Sequence, residues 1–245
     1  MNKLNINTIL LKTVADFKAN VYSSNPKPVV FWDTCALLNI IRFIYREKGD
    51  FSQKFNCIKH VHDQILNDNV YSVTSEIIVN EWNNNIDKTL SGFKQSLEDT
   101  TRYHRGGITV SNLINTRTDI SEPLTGKGLD VSLYRLVKDI LDKTFFMSYD
   151  KEIAYDALQR TSGKTPPAGV KEEFKDCAIW STMVFFSKEM NTIDAGKVKV
   201  FYTKNTEDFC VKNSDPPIYL HALTAEAITV GFDCCVQIED VARMV

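Results

Sequence analysis

Apolar positions along the chain switch repeatedly between a short, continuous pattern and a helical one. Residues 27–32 run Lys-Pro-Val-Val-Phe-Trp, β-branched and aromatic with no charge after the lysine, which predicts a short strand buried on both faces. Asp33 stands where that run stops, and Thr34 is the expected N-cap of a helix over 35–46 with Leu37, Leu38, Ile41, Ile44 and Tyr45 on one side. Upstream, Ile6, Ile9, Leu10, Val14, Phe17 and Val21 recur at helical intervals, predicting an amphipathic packing helix within residues 1–22. Downstream, Phe51, Phe55, Ile58, Val61 and Ile65 mark another helix, and residues 70–74 a short strand. Ser75 then caps a helix through Ile77, Ile78, Glu81 and Trp82 that extends toward residue 100.

Residues 102–170 carry a weaker pattern, broken at Gly106-Gly107 and again around Gly126 and Gly128. Helical spacing returns at 131–146 and 151–160. Gly163-Lys164-Thr165 is like the end of a phosphate-binding loop, but Leu158 stands where that motif needs glycine, and Pro166 and Pro167 follow where its helix should run. The motif is therefore rejected. Periodicity is strong once more in a helix over 173–190 and a strand over 197–202. A loop over 203–209, a short strand over 217–220, a helix over 224–230 and a last strand over 234–238 complete the chain. Strands alternating with helices predict an α/β fold: one domain over 1–245, with a mostly parallel sheet of about five strands covered on both faces.

The chain of 245 residues can bury a full core, and its formal net charge of −2 excludes a generally basic surface, so any polyanion must meet a local patch. No apolar run approaches the ~20 residues of a membrane helix, and the first residues lack the layout of a signal peptide. The six cysteines include no Cys-x-x-Cys pair, and the four histidines no zinc spacing. Buried free thiols and a cytoplasmic location are expected.

In a parallel sheet the carboxyl ends of the strands share one edge, where open α/β sheets bind ligands. Asp33 ends the first buried strand, Glu81 lies about two turns into the helix after the second, and Asp208 lies in the loop after the third. Asp176 opens the helix leading to that third strand. Each has a plain alternative as a helix-capping, solvated or turn residue. Glu76 competes with Glu81 but faces about 140° away on the same helix. Together without arginines, four carboxylates repel and raise one another's pKa; a divalent cation removes the conflict, and carboxylate oxygens suit Mg²⁺ or Mn²⁺. Such a centre suits phosphodiester hydrolysis.

The blocks that carry these acids resemble those of PIN-domain nucleases. Val29-Val30-Phe31-Trp32-Asp33-Thr34-Cys35 is similar to the family's opening strand and Asp-Thr/Ser-Asn/Cys turn. Val73-Thr74-Ser75 leading to Glu81 is similar to the second block, Lys175-Asp176-Cys177-Ala178 to the third, and Thr203-Lys204-Asn205-Thr206-Glu207-Asp208-Phe209 to the fourth. The resemblance implies a three-layer α/β/α fold and a metal-dependent endoribonuclease, using one or two Mg²⁺ or Mn²⁺ ions and leaving a 5′-phosphate. Asp33 and Asp176 would hold the principal metal, with Glu81 and Asp208 completing the site. Thr34, Thr203 and Asn205 would support it, and Lys171, Lys175 and Lys204 would position phosphates. The stretch between Glu81 and Asp176 exceeds a minimal PIN domain, so residues 85–170 are expected to be a helical insertion. Asn205 stands where many relatives have an acid, which favours one tightly held ion. Two alternatives stay open: a structure-selective DNA nuclease on the same core, and an inactive PIN-like binding module. A haloacid-dehalogenase-type phosphotransferase is excluded because Cys35 stands where it needs a second aspartate. A regulatory protein partner or a homo-oligomer is compatible with the mild charge.

Overall fold

The computed structural model describes residues 3–115, 120, 122–169 and 174–245. Among these, β1 (Leu10–Lys12), β2 (Val29–Trp32), β3 (Tyr71–Ser75), β4 (Phe145–Met147), β5 (Lys199–Tyr202) and β6 (Asp233–Cys235) form one sheet in the order β1-β4-β3-β2-β5-β6. Every pairing is parallel. The helices are α1 (Val14–Phe17), α2 (Thr34–Arg46), α3 (Phe51–Leu66), α4 (Ile78–Asn115), α5 (Leu129–Lys143), α6 (Lys151–Gly163), α7 (Phe174–Asn191), α8 (Thr206–Phe209), α9 (His221–Val230) and α10 (Ile238–Met244). On one face α2 packs with α4 and α5, and α3 with α5 and α10; on the other, α7 packs with α1, α6 and α9. This is the expected α/β/α sandwich.

All four residues of β2 are buried and apolar; all four of β5 are buried too, with Val200, Phe201 and Tyr202 following Lys199, whose ammonium donates to the Lys197 carbonyl at 2.7 Å. Phe31 and Phe201 meet above one face, with ring centroids 6.2 Å apart, and Trp180 of α7 stands edge-on to Phe201 at 5.5 Å. From β2 the chain moves to β3 on one side, then returns to place β5 on the other. The crevice between the carboxyl ends of β2 and β5 is thus a topological switch point. Register aligns it: Trp32 pairs with both Thr74 and Tyr202, so Asp33 and Thr203 emerge side by side.

Several expectations change: the last strand ends at Cys235 and Ile238 opens α10, α4 runs through Gly106-Gly107 without a break, and Ser75 ends β3 rather than capping a helix. Residues 5–22 are not one helix: β1 pairs Leu10 with Phe145, Thr13 caps α1 by accepting from the Asp16 N–H at 2.9 Å, and Lys18–Tyr22 form a π-helical turn. A short stretch of apolar residues does not distinguish an edge strand from a helical face until its pairing partner is known. The stretch 217–220 makes a single antiparallel bridge, Cys210 to Tyr219, rather than a strand. The segment 85–170 contains most of α4, then α5 and α6, but also β4, which joins the sheet between β1 and β3. Part of what reads as a helical insertion is therefore sheet.

Candidate active site

The carboxyl edge of the sheet gathers its acids and their hydrogen-bond partners from four segments. Asp33 is the residue before α2 and has extended backbone (φ −89°, ψ 153°); its carboxylate makes no close capping hydrogen bond, although the Thr34 and Cys35 backbone N–H groups act on it and favour its charged form. Its Oδ2 accepts from the Thr203 hydroxyl and, at 2.7 Å, from the Cys35 thiol. Thr34, expected as the cap, is already helical, and its hydroxyl donates to Glu81 Oε2 at 2.7 Å. Asp33 and Thr34 thus tie two acids to adjacent residues of one turn. Glu76, the competitor of Glu81, accepts from the Tyr149 N–H at 2.7 Å and belongs to the β4 side.

The other two acids meet through an amide. Asn205 Nδ2 donates to Asp208 Oδ2 at 2.9 Å and to Asp176 Oδ1 at 3.2 Å. The Asn205 backbone N–H donates to Thr203 Oγ at 2.9 Å. A continuous set of hydrogen bonds therefore runs from Asp33 through Thr203 and Asn205 to Asp176 and Asp208. The asparagine also caps α8, which explains an amide where a carboxylate would repel its neighbours.

Asp33 is only 3% exposed. Burial pushes its carboxyl pKa above the ordinary value, while hydrogen bonds from Cys35 and Thr203 act the other way. Burial, then the Asp33 charge, raises the Cys35 thiol well above the ordinary range, so it stays a neutral S–H donor. The Lys204 N–H donates to the Cys35 sulfur at 3.0 Å, locking the turn after β2 to the loop after β5.

The lysines fare differently. Lys175 is exposed beside Asp176. Lys204 is bound away from the acids: its ammonium meets Glu47 Oε1 at 2.8 Å and Gln237 Oε1 at 3.2 Å, with the side chain 15% exposed. Lys171 lies outside the described residues. Glu47, Gln237 and the Cys35 thiol are parts of this edge that sequence spacing does not announce, because each acts on a partner distant in the chain. The one available signal for Cys35 is its place in the Asp-Thr-Cys turn.

A cavity of about 740 Å³ opens beside Asp208, lined among others by Pro167, Gly169, Val211, Lys212, Pro217 and Leu220. It has the size of a small-molecule or nucleotide pocket.

The donor set of the edge consists of carboxylate, hydroxyl and amide oxygens, the chemistry that Mg²⁺ and Mn²⁺ favour. Among the described residues, however, no group of three or more His, Cys, Asp and Glu side chains is close enough to hold a metal ion. The fit is to a cation bound by one or two carboxylates with water filling the remaining positions, which is the habit of Mg²⁺.

Comparison with curated proteins and with solved structures gave no match. A family model described as PIN domain matches residues 30–209, a span that runs from β2 through α8 and contains Asp33, Glu81, Asp176 and Asp208. With well over half of its length matched, and with a parallel α/β/α core, the chain belongs to the PIN-domain family.

Proposed function

We propose that this chain, a member of a family whose domains are in general metal-dependent nucleases, is an endoribonuclease that hydrolyses RNA phosphodiester bonds with Mg²⁺ or Mn²⁺. The observation that carries the reading is a pair of hydrogen-bond sets, joined only through the adjacent residues Asp33 and Thr34, that hold acids from four separate segments at one sheet edge: Thr34 to Glu81, and Asp33 through Thr203 and Asn205 to Asp176 and Asp208.

In this reading Asp33 and Asp176 would hold the principal cation, and Glu81 and Asp208 would complete the site or orient the attacking water. Thr203 and Cys35 fix the Asp33 carboxylate, Thr34 fixes Glu81, and Asn205 keeps Asp176 and Asp208 together. The chemistry supplied by Mg²⁺ or Mn²⁺ there is activation of water and neutralisation of the leaving oxygen. Water adds to phosphorus, the P–O3′ bond breaks, and the products carry a 5′-phosphate and a 3′-hydroxyl. Lys175, exposed beside Asp176, would meet a neighbouring phosphate; Lys204, bound to Glu47 and Gln237, would instead stiffen the β5 loop. The six unpaired cysteines suit a cytoplasmic protein.

The test is cleavage of labelled single-stranded RNA and DNA with Mn²⁺ or Mg²⁺ by wild type, Asp33→Asn and Asp176→Asn. Metal-dependent RNA cleavage that falls by at least about 10²-fold in both variants is expected. Preferential DNA cleavage would replace the substrate class. Absence of both cleavage and metal binding, by calorimetry, would overturn the reading.

A further inference from the structure

Helix α2 carries a cation that the acidic centre does not use. Cys35, Arg42 and Arg46 fall within about 40° of one another around the helix axis, and Arg42 lies about 10 Å along it from Cys35. On one flank of that face α2 contacts α4, where Thr34 bonds Glu81 and Tyr45 stacks on Phe93 with centroids 5.6 Å apart. On the other flank Asn39 donates to Glu47, which also holds Lys204. Arg42 therefore sits on the helix leading away from Asp33, between two fixed walls.

Its guanidinium is half-buried, and its Nε–H is buried with no hydrogen-bond partner. No described carboxylate forms an ion pair with it, in contrast to Lys54 and Lys204, which both pair with Glu47. Burial and then the neighbouring Arg46 charge lower the Arg42 pKa, so the two cations reinforce one positive field. A buried, unpaired N–H is costly, the more so on a charged group. A planar fork kept partly dry and unpaired is suited to an oxyanion that it can meet through two N–H groups. In a chain with net charge −2, such a local cation also answers how a polyanion is held.

We propose that Arg42, assisted by Arg46 one turn further on, binds a non-bridging phosphate oxygen of a nucleic-acid strand, at a phosphate other than the one cleaved. The inference rests on the nuclease reading and extends it by giving the substrate strand a direction, outward from Asp33 along α2. Arg42 is a binding residue, not part of the acidic centre.

The experiment compares wild type, Arg42→Gln and Arg42→Lys with a labelled single-stranded RNA, checking each fold by thermal melting. Steady-state cleavage with Mn²⁺ gives KM and kcat, and fluorescence anisotropy in EDTA gives Kd across a salt series. Arg42→Gln is expected to raise KM and Kd about tenfold, to leave kcat within about threefold, and to reduce the slope of log Kd against log salt by about 0.7–1. Arg42→Lys keeps the charge and hence the slope, but loses part of the affinity. If Arg42→Gln does not fold, the Arg42→Lys pattern of retained slope with weaker binding decides. Unchanged KM and slope in a folded Arg42→Gln, beside normal wild-type cleavage, would overturn the Arg42 assignment alone. So would a loss confined to kcat. A wild type that neither binds nor cleaves would overturn the nuclease reading itself, and the assignment with it.

Discussion

Glu47→Gln tests how the loop beside the acids is held. The Glu47 carboxylate accepts from Lys54, from Lys204 at 2.8 Å and from the Asn39 amide, and the side chains of Glu47, Lys54 and Lys204 are only 13%, 11% and 15% exposed. Glutamine keeps the shape and removes the charge, leaving two ammonium groups close together with little water. Breaking a fully buried pair costs about 3–5 kcal/mol and an exposed one at most about 1 kcal/mol. With the residual exposure seen here, the expected loss is about 2 kcal/mol, or roughly 4–8 °C in Tm for a chain of this size. The pH dependence adds a sharper criterion. Burial alone would raise the Glu47 pKa, but hydrogen bonds from Lys204 and Lys54 outweigh it and hold the value below the ordinary 4.5. A lowered folded-state pKa means that the stabilisation is complete above 4.5 and lost as pH falls through the folded value. The gap between wild type and Glu47→Gln, measured by urea denaturation, should thus be full at pH 7 and should close below pH 4.5, where the native glutamic acid protonates. A gap under about 0.5 kcal/mol at pH 7 would refute the account, as would one that does not narrow in acid.

Asp33→Asn should separate stability from activity. The raised pKa of Asp33 makes its charge a cost that grows as pH rises above the ordinary 3.8, so in EDTA at pH 7 the variant should melt about 2–4 °C higher than wild type while cleavage is lost. A lower melting temperature would show that hydrogen bonds to the carboxylate outweigh its burial. Thr34→Val keeps the volume of a buried residue but removes the hydroxyl that holds Glu81. Stability should fall by about 1 kcal/mol and kcat by about tenfold at unchanged KM; a change in KM alone would place Glu81 in substrate binding instead.

The alternation of apolar strands and helices in the sequence is enough to predict the layer architecture, because β2 and, after Lys199, β5 are buried on both faces and stay apolar until they end. The same rule marked Asp33: a carboxylate directly after an unbroken apolar run stands at a strand terminus. Glu81, Asp176 and Asp208 were readable by their positions relative to the next strand or helix. Where the pattern was short it misled. Leu10 and Leu11 belong to an edge strand whose partner, β4, lies beyond α5, and local spacing carries no information about pairing across such a distance. β4 was hidden for the same reason. Register and side-chain direction were decided only by the folded chain. Asp33 is held by Thr203, which emerges beside it from β5, Asn205 spans two acids from α7 and α8, and Lys204 is drawn from the site by Glu47. Sequence determines which residues are buried and where the acids fall. Which hydrogen bonds join them depends on contacts between segments far apart in the chain, and those exist only in the tertiary structure.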